Sequence, residues 1–377
     1  MSVTSSRRAL GSACLSLTIA SLLLAAGPAG AMAQTATASS PAAASPTPAA
    51  PKAAAPPWTV IASGLANPRG LATGNGNLYV AEAGSAGTYC PAPDQCAGLT
   101  GKIEAVHLRS NARWTVASGF ISLGDSHGSA FTGINDVALD SHGRVLGIIG
   151  STTKEIPPVA SGPVADAARM QLGRLIRVRG LDSWRTLARV GDHDFAWTIR
   201  HKAQLDPNNP EWPDANPYGV DRVGGAAYVV DAGSNTLDRI DDEGTHVVAW
   251  FPNPPAATNL SDAVPDCVTH MGGTVVVGDL SGRIWTFRSG HLHQRRLSGT
   301  PIVSIGGCVA VGDALYLTDI FGGNVLRVSG AGRVTVVASG LTNPVGIAVR
   351  NGWIYVTNDS LTPAGGQIVR LDQRASD

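Results

Sequence analysis

One 22-residue stretch occurs twice in this chain. Residues 59–80 read TVIASGLANPRGLATGNGNLYV and residues 335–356 read TVVASGLTNPVGIAVRNGWIYV; they align without a gap and share 14 of 22 residues. A unit that returns this cleanly marks a repeat architecture, and repeats constrain the fold more than any single motif. Each unit runs through a short apolar segment after Pro or Gly, a Gly-containing turn, a Leu/Tyr/Val segment, and a third segment of the Gly-x-Ile-x-Arg-Val type. Short β-branched runs between regular turn signals predict antiparallel strands.

With the strands of a unit named A to D, strand A is predicted near 69–73, 134–139, 218–222, 266–269, 305–310 and 345–349, giving six units. The sixth has no D strand, because the chain stops soon after Leu371, while a surplus D-type strand, 58–62, opens the folded region. A closed ring resolves both. The expected fold is therefore an all-β, six-bladed β-propeller of four-stranded antiparallel blades, closed by strand 58–62 joining the C-terminal blade. Ring closure limits exposed sheet edges. Two separate β-sandwiches would leave the missing and surplus strands unexplained.

Three segments are expected: 1–33 as a signal peptide, 34–57 as a disordered Ala/Pro/Ser/Thr linker, and 58–377 as the propeller. Arg7 and Arg8 precede an apolar run over 15–26, and Ala31-Met32-Ala33 is a small-x-small cleavage site. That run is too short for a membrane span. Ser6-Arg7-Arg8 leaves both Sec and Tat export open. The linker composition cannot bury a core. A secreted, extracytoplasmic protein follows. Charge is balanced, with 28 basic and 28 acidic residues, so no basic stripe points to nucleic acid.

Beyond the signal, four cysteines remain, an even count that suits an oxidising compartment. Cys90 and Cys96 bracket the loop CPAPDQC and are expected to bridge. Cys267 and Cys308 occupy equivalent repeat positions, either as a second bridge or as two small buried side chains.

Strand order places A–B and C–D turns on one face of the disc and B–C and D–A connections on the other. The long connections, 83–101, 150–171, 118–133, 189–217 and 251–265, all fall on the second face. Long loops on a rigid scaffold are where function concentrates. The alternative is that they plug the channel mouth. This face is expected to bind a small molecule or a protein partner.

Gly124-Asp125-Ser126-His127-Gly128 matches G-x-S-x-G but lies between antiparallel strands, the wrong setting for a nucleophile elbow. Asp231, Asp279 and Asp319 follow strand B in successive units, a recurrence that suits bonding to turn amides. His193 and His201 lack a placed third metal ligand. Strand A entries are richer: Arg69, Asn135 with Asp136, Asn216 with Tyr218, and Asp266 all point to the channel mouth. Oxygens from Asp136, Asn216 and Asp266 there could hold a hard cation such as Ca²⁺, or could cap strands instead. Trp197, in an aromatic and acidic loop, is a further ligand-contact candidate. No catalytic residue is assigned.

The run 204–211 (QLDPNNPE), the run 213–219 (PDANPYG), the segments 63–72 and 78–84, and the CPAPDQC loop resemble the ScyD/ScyE family of exported propellers, whose members are mostly of unassigned activity. More widely, the chain is similar to the gluconolactonase and strictosidine synthase group of six-bladed propellers. In that likeness Asn135-Asp136 matches the group's substrate-side Asn-Asp, and Pro265-Asp266 matches its metal aspartate. The group's metal glutamate has no acidic counterpart around 67–69, and its third-blade Asn-Gly is Tyr218-Gly219 here. Two functions follow as expectations: a non-catalytic ligand or partner binder on the long-loop face, or a metal-dependent lactonase or related hydrolase at the channel mouth.

Overall fold

Short strands, the second of each blade buried almost throughout, give this chain six sheets arranged as a propeller. The computed structural model describes residues 57–92, 95–156, 160–255 and 262–373. Blade 1 runs Pro68–Gly74, Asn77–Glu82, Gln95–His107 and Arg113–Gly124. Blade 2 is Ile134–Leu139, Val145–Ile149, Arg174–Gly180 and Ser183–Arg189. Blade 3 is Pro217–Val223, Ala226–Asp231, Thr236–Asp241 and Gly244–Trp250. Blade 4 is Pro265–Met271, Thr274–Asp279, Ile284–Arg288 and His291–Gln294. Blade 5 is Ile305–Val311, Ala314–Asp319, Asn324–Val328 and Arg333–Ser339.

Blade 6 closes the ring as expected. Its first three strands are Ile347–Arg350, Trp353–Asn358 and Gly366–Asp372, and its fourth is the N-terminal strand Thr59–Leu65. Thr59 pairs with Arg370 and Val60 with Val369. The N-terminal strand thus completes the sheet of the last repeat and pairs the outer edge of Gly366–Asp372. The expected signal segment 1–33 and the expected linker 34–57, its last residue apart, lie outside the described residues, and among the described residues no helix is long and apolar enough to cross a membrane.

The core lies between blades. Ile61, Leu65 and Ile368 of blade 6 pack with Leu71, Leu78 and Val80 of blade 1. Each such fully buried side chain contributes about 1.5–3 kcal/mol. Innermost strands approach closely. A methyl group at Gly70 would lie 1.7 Å from Asp136 Oδ1, so only glycine lets blades 1 and 2 meet there.

Two cystines are present. Cys90–Cys96 closes the blade 1 hairpin, and Cys267–Cys308 joins the inner strands of blades 4 and 5. The alternative of two reduced, buried residues at 267 and 308 is thereby removed.

The long connections are more regular than loops. The third and fourth strands of blade 1 overrun the sheet, reaching 13 and 12 residues, and carry the short strands Tyr89–Ala92 and Ala130–Thr132. Connection 150–171 contains helix α1 (Pro163–Gln171). Pro163 starts it, preceded by Gly162 at φ 91°. Gln171 docks it on blade 1, accepting from Ile121 N (2.6 Å) and donating to Gly119 O (3.0 Å). Connection 189–217 contains helix α2 (Val190–Leu205), which buries Val190, Gly191, Asp194 and Thr198. A helix whose buried face is half polar carries little 3.6-residue hydrophobic signal.

Candidate functional site

The innermost strands of all six blades enclose a channel with a cavity of about 270 Å³. Gly70, Asn135, Asp136, Tyr218 and Asp266 line it, with a Gly- and Val-rich wall from blades 5 and 6. These residues reach the channel because they open strand A of successive blades, and strand A is the inner strand.

Arg69 sits beside them, 5% exposed. Its Nη2 donates to Ala130 O (2.7 Å) and its Nη1 to the Tyr218 hydroxyl (3.3 Å). Its Nε has no hydrogen-bond partner among the described residues. Burial pushes the Tyr218 hydroxyl above its usual value, with Arg69 opposing. Burial also raises the Asp266 carboxyl well above the usual carboxylate range; repulsion from Asp279 adds to this and Arg69 opposes it. A buried acid that keeps its proton is a hydrogen-bond donor, which a carboxylate is not.

Asp136 is pushed up to about 7 by burial, against amide bonds from Val220 and Val137. Its Oδ1 accepts from Val137 N (2.8 Å) and its Oδ2 from Val220 N (2.9 Å), tying blade 2 to blade 3. Asn135 donates to Pro217 O (3.2 Å), and its Oδ1 has no donor among the described residues.

Four of the expected residues therefore line the cavity, Asn135, Asp136, Tyr218 and Asp266, and Arg69 stands behind them, joined through the Tyr218 hydroxyl. Asn216 does not line the cavity; its Oδ1 accepts from Thr132 Oγ1 (3.1 Å) and Ser151 N (3.0 Å). Trp197 lies on α2, its ring stacked 4.2 Å from that of His201, and does not line the cavity. The Ca²⁺ expectation requires Asp136, Asn216 and Asp266 to offer free oxygens. The Asn216 oxygen is taken up by two donors and lies away from the cavity lining, and each Asp136 oxygen already holds an amide, so the three do not converge as free oxygens. This donor set does not fit a cation in the channel.

The Ser126 motif is a turn: Asp125 Oδ1 accepts from His127 N (2.8 Å) and Ser129 N (3.0 Å). His201 is spent on Trp197 O (2.8 Å). His193, in contrast, does meet further acids: its Nδ1 is 2.7 Å from Asp194 Oδ1 and 3.7 Å from Asp238 Oδ1. Spacing along the chain does not reveal Asp238, which reaches His193 only through the docking of α2 on blade 3.

No family model matches the chain, and no curated protein matches it. Solved structures do. A gluconolactonase from Xanthomonas campestris is 10% identical, with 83% of this chain and 89% of that one covered, at a TM-score of 0.50. A catalytically inactive virginiamycin B lyase from Staphylococcus aureus with quinupristin is 13% identical over 84% of this chain and 98% of that one, at 0.44. A luciferin-regenerating enzyme is 10% identical over 84% and 95%, at 0.49. The likeness at this identity is one of fold, the six-bladed propeller.

Proposed function

We propose that this chain is an exported, ScyD/ScyE-like propeller that binds a small polar molecule in its channel, entering from the long-loop face. The observation that carries the reading is Arg69. Its guanidinium is buried, keeps an unpartnered N–H, and stands against the Tyr218 hydroxyl at the cavity. A small concave site with a few convergent polar groups is the usual form of a ligand pocket. Arg69 suits a carboxylate, and Tyr218, Asp266 and Asn135 suit hydroxyl groups. Two disulfides and the N-terminal sequence support export.

The enzymatic reading, a lactonase or related hydrolase, rests on Asp266. Its carboxylate makes no hydrogen bond among the described residues, and burial favours its protonated form, as in a general acid. The metal-dependent version is weakened by Asn216, whose oxygen is taken up by Thr132 and Ser151 away from the cavity, and by the amides on both Asp136 oxygens.

Gluconate and glucono-1,5-lactone are suitable probes, combining a carboxyl carbon with hydroxyls. Calorimetry is expected to detect gluconate binding that weakens at least about tenfold in Arg69→Met and less in Tyr218→Phe, since a lost charge-assisted bond exceeds a neutral one. Absence of binding by either probe to the folded wild type would overturn the reading. Acid release from the lactone, lost in Asp266→Asn, would favour the hydrolase instead.

A further inference from the structure

The last residue of strand B recurs as an acid in blades 1, 3, 4 and 5: Glu82, Asp231, Asp279 and Asp319. In blade 1, Glu82 pairs across the sheet with Lys102, and Val80 with Glu104. In blade 3, Asp231 pairs with Thr236, and Val229 with Asp238. Thr236 thus occupies the place of Lys102, and Asp238 the place of Glu104. Lys102 Nζ lies 3.4 Å from Glu82 and 2.5 Å from Glu104. Blade 4 also has a cation here: Arg283, whose backbone carbonyl accepts from Asp279 N, sets its Nε 2.8 Å from Asp279 Oδ2. Blade 3 replaces that cation with a hydroxyl, and α2 then adds a third acid, Asp194.

Asp194, Asp231 and Asp238 are each 0% exposed. Asp231 Oδ1 is saturated by the amides of Asn216, Gly233 and Ser234. Asp194 apart, the Asp231 Oδ2 has no partner among the described residues, and neither has Asp238 Oδ1. The other oxygen of Asp238 accepts from Thr236 Oγ1 (3.0 Å). Asp194 lies against both acids: burial and repulsion from Asp231 raise its carboxyl well above the usual range, and a hydrogen bond with Asp238 opposes this. Among the described residues, the ion pairs of these three acids are with His193 alone, which carries one charge at most. Ligand atoms of His193, Asp194 and Asp238 lie within 4.8 Å of one another. Three carboxylates without matching charge are too costly to bury as they stand.

We propose that Asp194, Asp231, Asp238 and Thr236 Oγ1 hold a hard divalent cation beneath α2, fastening that helix to blade 3. The donors are oxygens, which select Ca²⁺ or Mn²⁺ over softer metals, and His193 at the rim admits Mn²⁺ as well. The cation takes the position that Lys102 and Arg283 hold in blades 1 and 4. It lies outside the channel and is independent of the ligand proposed there.

The test uses the full chain, stripped with EDTA and freed of chelator, then titrated separately with Ca²⁺ and Mn²⁺. One equivalent is expected to bind, and the melting temperature to rise by about 5 °C at a cation concentration roughly 100-fold above Kd. Amide hydrogen exchange over α2 is expected to slow on binding. Asp238→Asn is expected to weaken binding at least tenfold, yet to melt no lower than cation-free wild type, because a repulsive charge has gone. A purely structural role for Asp238 would lower that temperature instead. If shared protons neutralise the cluster, neither cation changes melting or exchange and the wild type melts higher in acid; that result overturns the proposal. Should Asp238→Asn fail to fold, the wild-type titrations still decide.

Discussion

In blade 1 the acids Glu82 and Glu104 face Lys102 and Arg113; in blade 3 the acids at the same two strand positions, Asp231 and Asp238, face Thr236 and a third acid, Asp194. What blades 1, 3 and 5 share is the bond made by the first oxygen. Glu82 Oε2 accepts from Ala66 N (2.8 Å), Asp231 Oδ1 from Asn216 N (2.7 Å), and Asp319 Oδ1 from Ser304 N (2.9 Å). In these blades the bond ties the entry of strand A to the end of strand B; in blade 4 Asp279 Oδ1 instead accepts from Ser281 Oγ and Arg283 N, and blade 2 ends the strand on Ile149. The second oxygen is not fixed by the repeat. Each blade completes it differently, and the difference separates a self-sufficient blade from one with charge left over.

Lys102→Thr copies the blade 3 residue into blade 1 and is expected to have the largest effect. Breaking a buried pair costs roughly 3–5 kcal/mol. Lys102 keeps 30% of its side chain exposed, so water screens part of that, and about 2–3 kcal/mol is the expected loss. Urea denaturation at pH 7.5 measures it. A loss below about 0.5 kcal/mol would mean that Lys102 does not neutralise these acids, and the comparison would collapse.

A smaller effect lies in pH. Burial pushes Glu82 up to about 7; the Ala66 amide and Lys102 oppose this, and Glu104 adds to it. The folded state therefore holds a proton that the unfolded chain gives up near 4.5. This contribution is complete below the unfolded pKa and is lost as pH rises toward 7. One such proton gives a slope of up to about 1.4 kcal/mol per pH unit. Asp136, also raised to about 7 by burial, slopes the same way. Denaturation midpoints of Glu82→Gln, taken from pH 4.5 to 7, are expected to show a shallower fall than wild type, with the Asp136 slope remaining. An unchanged slope would show that Glu82 is ionised throughout, with Lys102 and Arg113 fully outweighing burial.

The fold was legible because strand count and turn spacing are local, and the missing last strand with a surplus first one had one economical solution in the ring. The channel residues were legible for the same reason: Asn135, Asp136, Tyr218 and Asp266, with Arg69 behind them, all lie at the openings of inner strands. The use made of their atoms was not. Asp136 spends both oxygens on amides because of where the backbones of blades 2 and 3 lie, which no spacing encodes. Helix α2 was read as a loop because it buries Asp194 and Thr198 along with Val190, which breaks the apolar period. Trp197 looked like an exposed contact residue, but on a helix the residue four positions on, His201, lies against it. Reading Asp231, Asp279 and Asp319 as turn-bonding acids holds for one oxygen of each and is silent about the second oxygen of Asp231.

Blade 5 tests the shared half of the comparison, and the smallest effect is expected there. Asp319 Oδ1 accepts from Ser304 N (2.9 Å) and Gly322 N (3.2 Å), while its Oδ2 makes only a long contact with Val303 N (3.4 Å). The position of Glu104 and Asp238 is Leu326 in this blade, opposite Leu317, so no second acid is present. Blade 6 already uses an amide at this place, with Asn358 Oδ1 accepting from Thr342 N (2.7 Å). Asp319→Asn keeps the oxygen that accepts from Ser304 N and removes only charge. The expected cost is about 1 kcal/mol, with no response to divalent cations, read from the denaturation midpoint with and without EDTA. A loss as large as that of Lys102→Thr would mean that the strand-B acid serves through its charge in every blade, and that blade 3 differs from the others in degree alone.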